Sequence, residues 1–237
     1  MPSLRAFATF LAALLSASMA VPALAAPPAV ARAVEPFEAV ALRAPFELVL
    51  RQGAKPALEV QADPAAQTLV ETAVVDGSSG RTLEIRLREG AQLPWRAKVT
   101  VTVDATTLRA ITLSGSGDIR GAGLRTERLD VAVSGSGDLS LQDLQATALA
   151  LRIAGSGDAT LSGRVARFTA SVAGSGDIDA QALDASEVTV RIAGSGDVRV
   201  GAPASLDVSV VGSGDVSYRG QPKIAQRIAG SGSVTAR

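Results

Sequence analysis

Ser114-Gly115-Ser116-Gly117-Asp118 recurs along the second half of the chain, and its spacing decides the fold. Counted from the first glycine, the copies begin at Gly115, Gly135, Gly155, Gly174, Gly194, Gly212 and Gly230, a period of 20, 20, 19, 20, 18 and 18 residues. A period of this length marks one supersecondary unit stacked on copies of itself, each too small to bury its apolar face alone.

The residues around the glycine give the unit its form. Two positions before it stand Leu113, Val133, Ile153, Val172, Ile192, Val210 and Ile228, and four before it Ile111, Val131, Leu151, Ala170, Val190, Val208 and Gln226. The column between them reads Thr112, Ala132, Arg152, Ser171, Arg191, Ser209 and Arg227. Alternation with period two is the pattern of a half-buried strand. Four positions after the glycine a second strand opens with Ile119, Leu139, Ala159, Ile178, Val198, Val216 and Val234, and a third, weaker apolar point follows at Leu124, Leu144, Val165 and Leu183.

Each unit therefore reads as strand, Gly-Ser-Gly-Asp turn, strand and a looser return, with no window long enough for a crossover helix. Equivalent strands then stack in parallel about 4.8 Å apart. The expected fold is all-β, a right-handed parallel β-helix (solenoid) with coils of about 20 residues, right-handedness being the rule for parallel connections. The glycines supply φ > 0 at the corner, and each aspartate is expected to bond its own backbone two residues on.

Working outward, residues 1–25 carry an early Arg5, an apolar run and a closing Ala23-Leu24-Ala25, the pattern of a secretory signal cleaved after Ala25. This places the protein in the periplasm or outside the cell, with no stable membrane span after cleavage. Residues 26–36, rich in Pro and Ala, read as an extended linker, and 37–237 as a single β-helix domain: irregular coils and a cap over 37–108, regular repeats over 109–237. In the irregular part Phe46-Glu47-Leu48-Val49-Leu50, Leu58-Glu59-Val60, Leu83-Glu84-Ile85-Arg86-Leu87 and 98–103 read as strands of the same wall, and 76–80 as a tight turn. The last copy, Gly230-Ser231-Gly232-Ser233, has serine where the others have aspartate, and Gln226 interrupts an apolar column. Polar replacement in a terminal repeat is what a cap requires, and an uncapped edge invites another chain.

The strand from Phe46 to Gly53, Leu58-Glu59-Val60, and Leu108-Arg109-Ala110-Ile111-Thr112-Leu113 running into the first Gly-Ser-Gly-Asp resemble the bacterial envelope family called the "putative auto-transporter adhesin, head GIN domain". The likeness runs from about Phe37 to Tyr218. It implies an exported β-helical domain and carries no catalytic residues across.

Composition narrows the chemistry. There is no cysteine and no histidine, which removes disulfides, thiolate sites, the commonest general base and the usual metal ligand. Subtracting Arg5 leaves 22 basic against 23 acidic residues, with no basic tract for nucleic acid. The candidate binding strip is the turn edge: Ser116, Asp118, Ser136, Asp138, Ser156, Asp158, Ser175, Asp177, Ser195, Asp197, Ser213 and Asp215. Stacked carboxylates repel one another, so either backbone N–H groups cap them or, alternatively, calcium sits on Asp118, Asp138, Asp158, Asp177, Asp197 and Asp215. A catalytic pair needs two carboxylates in different surroundings, and identical turns give every aspartate the same one. The expected protein is thus not an enzyme and needs no cofactor: it is an adhesion-type module presenting a repetitive surface to an envelope polysaccharide, glycan or surface protein. Two alternatives stand beside it, a structural module that forms homo-oligomers through its end caps, and a polysaccharide-active enzyme with its site near Trp95.

Overall fold

The computed structural model describes residues 28–77, 79–94 and 97–237; the expected signal segment and Trp95 lie outside them. In chain order the elements are β1 (Ala29–Arg32), β2 (Ala39–Arg43), β3 (Glu47–Gln52), β4 (Ala57–Gln61), one helical turn α1 (Pro64–Gln67), β5 (Val70–Gly77), β6 (Gly80–Leu87) and β7 (Thr100–Ala105). The repeats follow as β8 (Ala110–Gly115), β9 (Asp118–Ala122), β10 (Arg125–Gly135), β11 (Leu139–Gly155), β12 (Ala159–Gly174), β13 (Ile178–Gly194), β14 (Val198–Val200), β15 (Ser205–Gly212), β16 (Val216–Tyr218), β17 (Lys223–Gly230) and β18 (Val234–Ala236).

The result is a parallel β-solenoid. One wall stacks β6, β2, β8, β10, β11, β12, β13, β15 and β17 in parallel, with every corner glycine above its counterpart, Gly115, Gly135, Gly155, Gly174, Gly194, Gly212 and Gly230. The second wall runs through β7, β3, β9 and the opening segments of β11, β12 and β13 to β14, β16 and β18. Burial follows the sequence columns: Leu149, Leu151 and Ile153 point inward from one wall, Leu139 and Leu141 from the other, and Leu124, Leu144, Val165 and Leu183 close the return side. Where Gly121 leaves a hole in its column, Leu141 and Leu124 crowd into the space. The core is aliphatic, with Phe37, Phe46 and Phe168 buried in it.

Both glycines of the turn are required. Gly155 has φ +135°, a region that L side chains rarely adopt. Gly157 lies outside that region but points inward, and a Cβ there would overlap the Gly137 carbonyl of the coil below. A Cβ at Gly155 would likewise overlap the Gly135 carbonyl, so both glycines set how closely the coils approach, and the first also supplies the positive φ.

The first half differs from a simple run of coils. The β6–β7 coil stacks on the far side of β2–β3, so the coil laid down later in sequence lies nearer the end of the molecule, and the chain then crosses back to begin β8. Beyond it the strands turn antiparallel: β5 on β6, paired up to Gly77 and Gly80, β4 on β7, and β1 on β4. The stretch read as an extended linker contains the paired strand β1. It is fixed further by Arg32, whose guanidinium donates to the carbonyls of Val70 (2.7 Å) and Gln67 (2.9 Å). Ala62 and Ala66, the latter on α1, are fully buried and plug this end of the core.

Candidate functional site

Each Gly-Ser-Gly-Asp corner is wired to the coil below it. The Gly135 carbonyl accepts the N–H groups of Ser156 (2.9 Å) and Gly157 (3.2 Å), and the Asp158 carbonyl accepts the Leu139 N–H (2.8 Å). The aspartate side chain completes the set, but not as the sequence suggested. Instead of turning to its own corner, Oδ1 of each aspartate accepts the backbone N–H of the equivalent residue one coil on. Asp118 takes Asp138 N–H (3.2 Å), Asp138 takes Asp158 (3.0 Å), Asp158 takes Asp177 (2.8 Å), Asp177 takes Asp197 (2.8 Å) and Asp197 takes Asp215 (3.0 Å). At the last rung Asp215 Oδ1 accepts both the N–H (2.7 Å) and the hydroxyl (2.8 Å) of Ser233. The altered terminal copy therefore removes a carboxylate and adds a donor.

Continuous stacking of this kind requires every carboxylate to be an acceptor, which the ionised form is. Bonds from N–H to a charged oxygen are also the stronger kind, and they offset repulsion along the ladder. Among the described residues no group of three or more acidic side chains is placed to hold a metal ion.

The serines take the opposite part. Ser116, Ser136, Ser156, Ser175, Ser195 and Ser213 are exposed, and their hydroxyls make no hydrogen bond to the protein among the described residues. The corner places them one per coil, at the spacing of parallel strands, about 4.8 Å. The structure thus brings all twelve strip residues onto one edge, with the carboxylates partly used for the fold and the hydroxyls free. Beside the strip a shallow groove runs along the second wall between Asp118, Asp138 and Asp158 on one side and Arg120, Ser140 and Thr160 on the other.

Sequence columns did not foretell a second concavity on the return side. It is lined by Thr107, Thr126 and Thr147 and by two ion pairs, Arg109–Glu38 (3.9 Å), which stacking of neighbouring coils brings together, and Arg128–Asp130 (2.8 Å), within one strand; an adjoining hollow includes Arg164, which pairs with Asp184 (3.0 Å). The Arg128 guanidinium, hydrogen-bonded to Asp130, holds that carboxyl below the usual carboxylate range against the opposing effect of burial. Arg152 and Arg191, expected on an outward column, do lie exposed on the first wall.

Comparison with known proteins follows the same outline. A family model described as "Putative auto-transporter adhesin, head GIN domain" matches residues 36–222. No curated protein matches. Among solved structures, a "putative adhesin" from Bacteroides fragilis NCTC 9343 is 26% identical, with 89% of this chain and 96% of that chain covered and a TM-score of 0.82. A "putative lipid binding protein" from Parabacteroides distasonis ATCC 8503 is also 26% identical, covering 90% and 97% with a TM-score of 0.72. A "putative adhesin" from the same strain is 25% identical, covering 89% and 96% with a TM-score of 0.68.

Proposed function

Because this chain belongs to the family described as "Putative auto-transporter adhesin, head GIN domain", we propose that it is an exported, non-catalytic adhesion-type module that binds an extended polymer along its Ser/Asp edge. The observation that carries this reading is the unbroken row of exposed serine hydroxyls without protein partners, held at a fixed spacing by a rigid corner. Such a row suits a ligand that itself repeats, such as an envelope polysaccharide or glycan, because each rung adds the same hydrogen bond and the sum gains from multivalency. The matching adhesin names of two solved neighbours support an adhesive role. Catalysis is disfavoured because the aspartates share one environment and each already serves as a backbone acceptor.

The test is retention of the purified chain on an immobilised panel of bacterial and host polysaccharides, with and without calcium. The reading predicts specific retention that persists in chelator and is lost when Ser136, Ser156, Ser175 and Ser195 are replaced by valine. Retention that vanishes in chelator would move the ligand to the carboxylates. Absence of retention from every polysaccharide would defeat the glycan reading.

A further inference from the structure

The two ends of the solenoid are unlike. At the first end the core is closed by α1 and the antiparallel strands, with Ala62 and Ala66 fully buried. At the other end nothing among the described residues covers the last coil: β17 pairs only with β15, and β18 only with β16. Ile224 and Ile228 occupy the core columns of Leu206 and Val210, yet they are 42% and 40% exposed.

We infer that this end is an interface for a second copy of the chain, joined tail to tail by antiparallel pairing of β17 with its own symmetry mate. Three features of β17 select that partner. The first is the direction of its backbone groups. Lys223 N–H bonds back to the Ala204 carbonyl (2.9 Å). In a strand the direction alternates, so Ile224, Gln226 and Ile228 turn their N–H and C=O groups to the free edge. Placing a two-fold axis at Gln226 sets Ile224 opposite the partner's Ile228 and Gln226 opposite the partner's Gln226. All of these are positions with both groups free, so three residue pairs exchange their backbone bonds without a mismatch.

The second feature is that the same register keeps every inward side chain inward. The isoleucines of each copy cover those of the other, and Gln226, which interrupts an apolar column, meets its own amide across the axis. An amide can both donate and accept, so a glutamine pair satisfies itself, and a polar residue at one core position fixes register. The third is charge. Lys223 falls opposite the partner's Ala229 and Arg227 opposite the partner's Ala225, so no two cations face directly, and Arg227 is already drawn toward Asp207 (3.9 Å). A head-to-tail contact would set the open core against the plugged end and would continue into a filament, whereas the two-fold contact closes at two chains.

Sedimentation of the purified chain from about 1 to 300 μM tests this, the upper range being suited to a contact of modest area. A reversible monomer–dimer transition that stops at two chains is expected, and Ile228→Lys abolishes it while leaving the thermal midpoint at the low end of that range, where the chain is monomeric, little changed, because the side chain is 40% exposed there. The second measurement uses the absence of native cysteine. Gln226→Cys places two sulfurs across the axis at hydrogen-bonded strand separation, about 5.5 Å between Cα atoms, which a disulfide spans. Mild oxidation then gives a covalent dimer, and Ser209→Cys, one coil inside, gives none. A wild-type chain that stays monomeric throughout the range, assembly that grows past two, or Gln226→Cys that fails to cross-link would each overturn the inference.

Discussion

Gly176→Ala isolates the element on which coil stacking depends. Gly176 is the second glycine of its turn and is not in the positive-φ region, so alanine brings no backbone penalty of that kind. What it brings is a Cβ overlapping the Gly157 carbonyl of the coil below, well inside the 3.0 Å that real Cβ atoms keep, and at 3.1 Å from Ile153 Cγ2. Restoring contact distance parts the coils at that corner by roughly 1 Å. Three hydrogen bonds lie across the gap: Ser175 N–H to Gly155 O (2.9 Å), Gly176 N–H to Gly155 O (3.2 Å) and Asp177 N–H to Asp158 Oδ1 (2.8 Å). At about 1 kcal/mol each, with a further 1 to 3 kcal/mol or so for disturbed packing, the loss is about 4 to 6 kcal/mol. The control is Gly90→Ala, where φ is +72° and a Cβ would meet nothing within 4 Å, so only a conformational cost of about 1 to 2 kcal/mol applies. Urea unfolding followed by far-UV circular dichroism measures both. A Gly176→Ala midpoint no lower than that of Gly90→Ala would refute the argument that the second glycine sets the coil spacing.

Phe168→Ala, at a site 1% exposed in the column between Leu149 and Val188, should cost about 3 to 5 kcal/mol in the same assay. Asp177→Ala leaves the Asp197 N–H without its acceptor and should cost about 1 kcal/mol, whereas Asp177→Asn keeps an acceptor and should cost little, with the same order in calcium and in chelator. The carboxyl of Asp130, lowered by its bond to Arg128, stabilises the fold above its unfolded pKa of about 4, and this is lost as pH falls through the lower folded value. Because the Arg128 guanidinium is exposed to solvent, Arg128→Ala should leave stability at neutral pH almost unchanged and should flatten the acid limb slightly.

The repeats were legible because each coil carries the same marker. Once Gly115 and its copies are aligned, the columns of Ile111, Leu113 and Ile119 identify the inward face, and the structure buries all three. The first half carries no such marker. The corner between β2 and β3 is Ala44-Pro45, without glycine, and periodicity within a strand says which side faces in, not which strand lies next to it. The placement of β6–β7 outside β2–β3, and the antiparallel pairing of β1, β4 and β5, depend on contacts between distant segments. The candidate strip was legible as residues but not as bonding. An aspartate after a glycine suggests a local turn bond, and only the close stacking of coils shows that the nearer donor belongs to the next coil.

A series in which the strip changes length while its chemistry stays fixed addresses fold and function together. Removing residues 155–173 joins Ala154 to Gly174, and because Ala154 and Ala173 stack in register the Ala-Gly-Ser-Gly-Asp corner is regenerated with one rung fewer; duplicating the segment adds one. With each variant's cooperative unfolding confirmed, affinity for the retained polysaccharide is measured across the series. The account predicts that all three chains fold and that affinity rises with the number of rungs. A deletion that abolishes folding would contradict the solenoid of interchangeable coils, and affinity indifferent to rung number would contradict binding along the Ser/Asp edge.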